Sequence, residues 1–230
     1  MDLLPVDTTS DARDRAGAVA LLPIGSFEQH GPHLPLTTDT LVAATIAVEL
    51  ASVYPVFRLP PLTISCSHEH AAWPGTVSIS ATTLVAIVRD VSASVQRSGA
   101  SGLVLVNGHG GNYVLDNVVQ EASLDPFPTA LFPTEMDWED ARADAGLTTT
   151  GLVDMHAGEL ETSILLHVLP DLVKPGYEQA DHRADDRRHL LARGMQAYAE
   201  SGVVGLPSQA SAEKGRAVLE SLVRSFAAHL

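Results

Sequence analysis

Basic residues, cysteine and long apolar runs are all scarce in this sequence, and each scarcity removes a class of function. Lys and Arg number 14 against 28 Asp and Glu, for a formal charge of −14. Such a surface repels phosphate backbones and anionic headgroups, so neither nucleic acid nor membrane is an expected partner. Cys66 is the only cysteine. That excludes an intrachain disulfide and fits a reducing compartment. No 18 consecutive apolar residues occur, so a membrane-crossing helix is not expected. Met1 to Arg15 is mixed and acidic, without the basic-then-apolar order of a secretory leader. The expected location is cytoplasmic. No repeat, low-complexity tract or linker divides the 230 residues, which predicts a single domain over 1–230. That length buries a core without staples.

What is present reads as alternating strands and helices. Ala18 to Ile24 and Gly102 to Val106 are short apolar runs that end in glycine and polar residues, as buried strands feeding functional loops do. Val56 to Ile64 and Ala130 to Phe132 are weaker strands. Helical spacing is found over Leu41–Ser52, Thr82–Gln96, Tyr113–Ser123, Glu159–Val168 and Ala212–Leu230, the last with Ser211 as its N-cap. Asp181 to Arg193 reads as a solvated helix carrying His182 and His189 on its surface. The alternation predicts an α/β protein with a mostly parallel sheet covered by helices on both faces. Sites in such sheets lie at the carboxyl ends of the strands, where both histidine-rich loops fall.

Three constellations carry the chemistry. In Gly25-Ser-Phe-Glu-Gln-His-Gly-Pro-His-Leu-Pro-Leu-Thr-Thr-Asp39, Glu28 and His30 point the same way in an extended loop. Asp39 can return to them through the turns at Gly31-Pro32 and Leu34-Pro35. An Asp39 that merely caps a helix at Leu41 is the rival. Asn107-Gly-His-Gly-Gly-Asn112 follows a strand, and its glycines bring His109 close to an ion or substrate. A phosphate loop fits badly, because Tyr113 replaces the third glycine and no Walker lysine follows. In His156-Ala-Gly-Glu-Leu-Glu161, the two glutamates stand about 200° apart on a helix. Glu161 shares the apolar stripe of Ile164, Leu165 and Val168 and so faces inward, while Glu159 faces another pocket edge or solvent. His167 reads as a core histidine. Glu28, Asp39 and Glu161 repel one another unless cations sit among them. Two divalent ions balance three carboxylates and a hydroxide, with His30 and His109 as neutral donors. The donor set suits Zn²⁺, Mn²⁺ or Fe²⁺, and Asp39 is placed to bridge.

These motifs, with Ser67-His-Glu-His-Ala-Ala-Trp-Pro-Gly-Thr76, resemble the creatininase (creatinine amidohydrolase) family over roughly residues 18–220. The resemblance implies a three-layer α/β/α sandwich, a binuclear metal centre and a homo-oligomer, commonly a hexamer. It puts Glu28, His30, Asp39, His109 and Glu161 on ligand positions, His156 on the catalytic histidine and Ser67 on a substrate-contacting serine. Gly110 and Gly111 join Ser67 at the substrate, and His33, His68, Glu69 and His70 stand around the site. Creatininases proper read N-G-H-Y-E-N where this chain has Gly110 and Gly111, and Trp-Asp where it has Leu152-Val153. Creatinine is therefore not the implied substrate. The family also includes a formamide hydrolase of deazaflavin biosynthesis and a peptidase of the mycofactocin precursor, both nearer this loop type. Trp138 is a candidate lid residue.

The expected function is hydrolysis of an amide C–N bond, cyclic, formamide or peptide-like, by metal-activated water, with His156 delivering a proton to the leaving nitrogen. The partner is then a small amide or a short peptide. The alternatives are a peptidase trimming a short peptide and a metal-binding protein of the same fold without turnover.

Overall fold

The computed structural model describes residues 2–229; Met1 and Leu230, the ends of the N-terminal segment and of the last predicted helix, lie outside the described residues. Four strands form one parallel sheet: β1 (Val19–Ile24), β2 (Val56–Arg58), β3 (Gly102–Asn107) and β4 (Thr129–Phe132), in the order β2-β1-β3-β4. The eight helices among the described residues are α1 (Thr9–Asp14), α2 (Thr38–Val53), α3 (Ala81–Arg97), α4 (Val114–Ala122), α5 (Glu135–Asp144), α6 (Glu159–Val168), α7 (Leu190–Arg193) and α8 (Ala212–Ser225).

Alternation along β1 and β3 divides their side chains between two cores. Leu21, Val104 and Val106 pack with α2, α5, α6 and α8 through Ile46, Leu50, Ala141, Ile164, Leu165 and Leu222. Ala20, Leu22, Ile24, Leu103 and Leu105 face the other way, onto Leu84 and Val88 of α3 and Leu115 and Val118 of α4. Both faces of the sheet are thus covered, as parallel sheets require. The protein has the α/β architecture that the sequence predicts, a parallel sheet between two layers of helices.

The connections from β1 to β2 and from β2 to β3 leave in opposite directions. The sheet therefore has its switch point between β1 and β3, where the outgoing loops part and leave a crevice. The Glu28 loop and the His109 loop leave from those two strands.

Several boundaries differ from the sequence reading. β2 stops at Arg58 because Pro60 and Pro61 carry no backbone N–H; only Leu62 rejoins β1, through a bridge to Ile24. Helix α2 begins at Thr38, three residues before Leu41, so Asp39 sits inside its first turn. The helix α8 ends at Ser225, and a 3₁₀ turn carries the buried Phe226 ring against Phe132, centroids 5.1 Å apart. Asp181–Arg193 is not a helix except over Leu190–Arg193. Its Arg183–Asp185 and Arg188–Asp186 pairs join residues two apart, which helical geometry does not allow. His182 there is half-buried, bound through Nε2 to the Tyr198 carbonyl at 2.8 Å. His167 is exposed rather than in the core, since it is turned off the Ile164–Leu165 stripe. Trp138 packs partly buried against the α5–α8 core, which leaves it no part in a lid.

Candidate metal centre

Four chain segments meet at the crevice. The β1 loop brings Glu28 and His30, and the first turn of α2 brings Asp39. The β3 loop brings His109, and the turn into α6 brings Glu161. Gly108 permits the approach of the β3 loop, because a β-carbon there would collide with the Asp39 carbonyl and with Ala43. At the α6 end Ala157 takes a left-handed backbone, φ 53°, and its N–H donates to Glu161 Oε2 at 2.6 Å. That reversal lets His156 and Glu161 face the same space. Five residues marked as ligands in the sequence, together with His156, are brought together.

Asp39 lies at the middle. His30 Nε2 is 3.0 Å from its Oδ1 and His109 Nδ1 is 2.9 Å from its Oδ2, while Ser26 Oγ donates to Oδ2 at 2.7 Å. Glu161 Oε1 stands 3.8 Å from His30 Nε2. Glu28 is fully buried, with Oε2 3.2 Å from His109 Nε2 and Oε1 3.2 Å from His70 Nε2. Neither of its oxygens has a hydrogen bond. Three donor triads have ligand atoms within 4.8 Å of one another: Glu28-Asp39-His109, His30-Asp39-Glu161 and Glu28-His30-His156. Asp39 is common to the first two.

The electrostatics of the cluster follow from burial and from the carboxylates beside the imidazoles. Burial pushes Glu28 up to about 8 in spite of His109 beside it. Burial works against charge on His30, yet Asp39 holds it well above the ordinary histidine value. His109 rises to about 10 against its burial, because Glu28 and Asp39 flank it. Asp39 is buried too, but His30 and His109 keep it well below the carboxylate range, and the nearby His30 likewise outweighs the burial of Glu161. Without divalent ions the carboxylates would hold protons on His30 and His109 in their place. Divalent ions would displace those protons, as metal binding to histidine sites generally does. Orphaned oxygens on Glu28, a shared Asp39 and mixed N/O donors together fit hard or borderline dications.

His156 is oriented differently. Its Nε2 lies 2.7 Å from the Gln29 carbonyl, which fixes the proton there and turns a free Nδ1 towards Glu28 Oε1, 3.7 Å away. Burial, with His30 nearby, lowers it to about 4. The backbone at His156 pairs with Val204 in both directions, at 2.9 Å each.

The remaining candidates separate into near and far. Ser67 is fully buried with an unpartnered hydroxyl, and Gly110 is exposed. Gly111, Glu69 and His68 line a cleft of about 830 Å³ whose other walls include Cys66, Tyr113 and Arg193. His33 is not at the cluster: its Nε2 meets Thr162 Oγ1 at 3.3 Å. Two site residues went unassigned in the sequence. Ser26 holds Asp39, and Gln29 Nε2 donates to His70 Nδ1 at 2.9 Å, which places the His70 proton on the nitrogen nearest Glu28. Their place inside the first motif is the signal that was available.

Glu159 is neither solvent-facing nor at the cluster. It is fully buried behind α6, where the backbone N–H groups of Thr148 and Thr149 and the Lys214 ammonium donate to it. Lys214→Met leaves that carboxylate uncompensated. The expected cost is about 2–3 kcal/mol, below the 3–5 kcal/mol of a fully buried pair because the threonine donors remain. A thermal melt should fall by about 5–10 °C; an unchanged midpoint would show that the pair is without weight.

The chain is similar to known proteins over most of its length. The creatininase family model, described as creatinine amidohydrolase, matches residues 7–230. The chain is 33% identical over 220 residues to a mycofactocin precursor peptide peptidase of Mycolicibacterium smegmatis, covering 91% of this chain and 83% of that protein. It is 28% identical over 180 residues to a creatinine amidohydrolase of Pseudomonas putida, covering 71% and 69%. A solved manganese form of creatininase superposes with a TM-score of 0.82 at 26% identity, over 97% of this chain and 95% of that one.

Proposed function

The chain belongs to the creatininase family, and from that premise we propose that it is a binuclear-metal-dependent amidohydrolase whose substrate is a short peptide or peptide-like amide. The observation that carries the reading is the meeting of Glu28, Asp39 and Glu161 with His30 and His109, in which the buried Glu28 oxygens have no hydrogen bond. Glu28, Asp39 and His109 would hold one ion and His30, Asp39 and Glu161 the other, with Asp39 shared. Zn²⁺ and Mn²⁺ suit these donors and Fe²⁺ is compatible with them. Bound there, two such ions supply a polarised carbonyl and a water acidic enough to attack at neutral pH.

The protein's own groups do the rest. His156 Nδ1 is unprotonated at rest and faces the cluster, so it accepts the proton that water loses on adding to the amide carbon. It then passes that proton to nitrogen as the C–N bond breaks, and the second proton of water follows from the new carboxyl group to the amine, leaving a carboxylate and an ammonium. The buried Ser67 hydroxyl, unpartnered within the protein, is assigned to the substrate.

The cleft supports the peptide-like class. At about 830 Å³ it is at the large end of ligand pockets and far exceeds a single small ring. Gly111, in its wall, puts no side chain into it. The relative from Mycolicibacterium smegmatis, whose name records a peptide substrate, points the same way. The reading takes residues 1–230 as one catalytic domain and its working form as a homo-oligomer. Among the described residues no helix is long and apolar enough to cross a membrane.

The test is hydrolysis by metal-loaded protein over short peptides, formamides, lactams and creatinine. Peptide turnover that stops on chelation and returns with Zn²⁺ or Mn²⁺ is expected. Turnover of creatinine alone would overturn the substrate class, and chelator-resistant turnover would overturn the metal mechanism.

A further inference from the structure

Of the Phe, Trp and Tyr side chains described, Tyr113 is the one left exposed, at 52%. It immediately precedes α4, four residues after His109, and lines the cleft of about 830 Å³ together with Val114 and Asn117. Residues four apart share one face of a helix. Tyr113 and Asn117 therefore border the cleft side by side, while Leu115 and Val118 bury the other side of α4.

The cleft runs up to the candidate metal centre. Gly111 is in its wall, and a β-carbon at that position would stand against the His109 ring. The Tyr113 phenol feels both ends of that path. Burial and the Glu69 and Glu28 carboxylates push it up, against Arg187. No hydrogen bond from the protein engages it, so at neutral pH the O–H is intact and free to donate.

The other walls suit a chain of amides. Ala71, Ala72, Ala81 and Ala192 leave the space open, and Gln196 adds a second carboxamide to that of Asn117. Neutral donors and acceptors beside small side chains match a backbone that carries an N–H and a C=O at each residue. A tyrosine ring supplies rigid, amphipathic contact area at low conformational cost.

We propose that Tyr113 and Asn117 form the subsite that holds the peptide chain beyond the scissile amide, with the phenol donating to a backbone carbonyl. The inference rests on the peptide reading above and gives that reading its specificity residues. Preference for substrate length then resides on α4, apart from the metal ligands.

The test compares metal-loaded wild-type, Tyr113→Phe, Tyr113→Ala and Asn117→Ala proteins on a series of peptides shortened stepwise to the smallest amide that wild type still turns over. On the longest peptide, kcat/KM should fall about three- to tenfold in Tyr113→Phe and in Asn117→Ala, the worth of a hydrogen bond. In Tyr113→Ala, which removes the ring as well, the fall should be about 10- to 100-fold. The loss should shrink as the substrate shortens, and metal content should match wild type throughout. Equal losses at every length would place Tyr113 in the reacting centre or the fold and overturn the proposal. No loss at any length would overturn it too. Wild-type protein that turns over no peptide would instead bring down the peptide reading itself, a result visible before any variant is tested.

Discussion

Asp39→Ala protein, stripped and reloaded with Zn²⁺ or Mn²⁺, is expected to retain neither ion at stoichiometric occupancy and to lose turnover by on the order of 10³-fold or more. Asp39 is the one carboxylate common to the Glu28-Asp39-His109 and His30-Asp39-Glu161 triads. Its two oxygens face different histidines at 3.0 and 2.9 Å, so one deletion removes a donor from both sets. A Lewis acid at a carbonyl contributes several kcal/mol to the transition state. At about 1.4 kcal/mol per factor of ten, its loss alone accounts for the expected fall. Asp39→Asn, which keeps shape but not charge, should weaken both ions without unfolding the first turn of α2. Elemental analysis decides the matter. Full occupancy of both ions in Asp39→Ala would mean that the carboxylate is not shared.

His156→Ala should give the opposite pattern, with about 10²- to 10⁴-fold slower turnover and metal content unchanged. The ring is already committed at Nε2 to the Gln29 carbonyl, and only Nδ1 is free to move a proton. Its lowered pKa makes it a neutral acceptor at the start of each cycle. Loss should appear in kcat, because deleting a proton carrier leaves the cleft walls intact. The alternative is concrete, since His156 also completes a donor triad with Glu28 and His30. Variant protein that loses an ion would make His156 a ligand and move the proton transfer to another group.

Much of this centre was legible in the sequence, for a physical reason. Glu28, His30 and Asp39 lie within twelve residues, and a short loop between a strand and a helix has few ways to arrange them. Glu161 was read as inward from the apolar stripe beneath it, and the stripe is where that side of α6 is buried. The four strands were likewise marked by their apolar runs, although the end of β2 was obscured until Pro60 and Pro61 were seen to interrupt the ladder. The failures concern partners distant along the chain. Lys214 meets Glu159 across 55 positions, and no local pattern announces that pairing. Asp154 accepts from the Glu159 and Leu160 N–H groups and binds Arg142, capping α6 from outside its own sequence. The charged stretch from Asp181 misled because charge density is equally compatible with a helix and with short ion-paired turns.

His156, the proposed proton carrier, and the cleft wall are anchored in different ways. His156 is pinned front and back, by Val204 along the main chain and by Gln29 at the ring, while its flank is fastened through Asp154 and Glu159. The opposite wall, Leu191 to Gln196, is held from beneath, by Leu190 and the buried Met195 in one cluster with Val204, and by Arg187 on the Leu152 carbonyl. Substitutions at its exposed positions, Leu191 to Arg193 and Gln196, can reshape what enters without disturbing what cuts. A lineage built this way can exchange one amide for another while its hydrolytic apparatus stays fixed, and selection experiments seeking new substrates should accumulate their changes between positions 191 and 196.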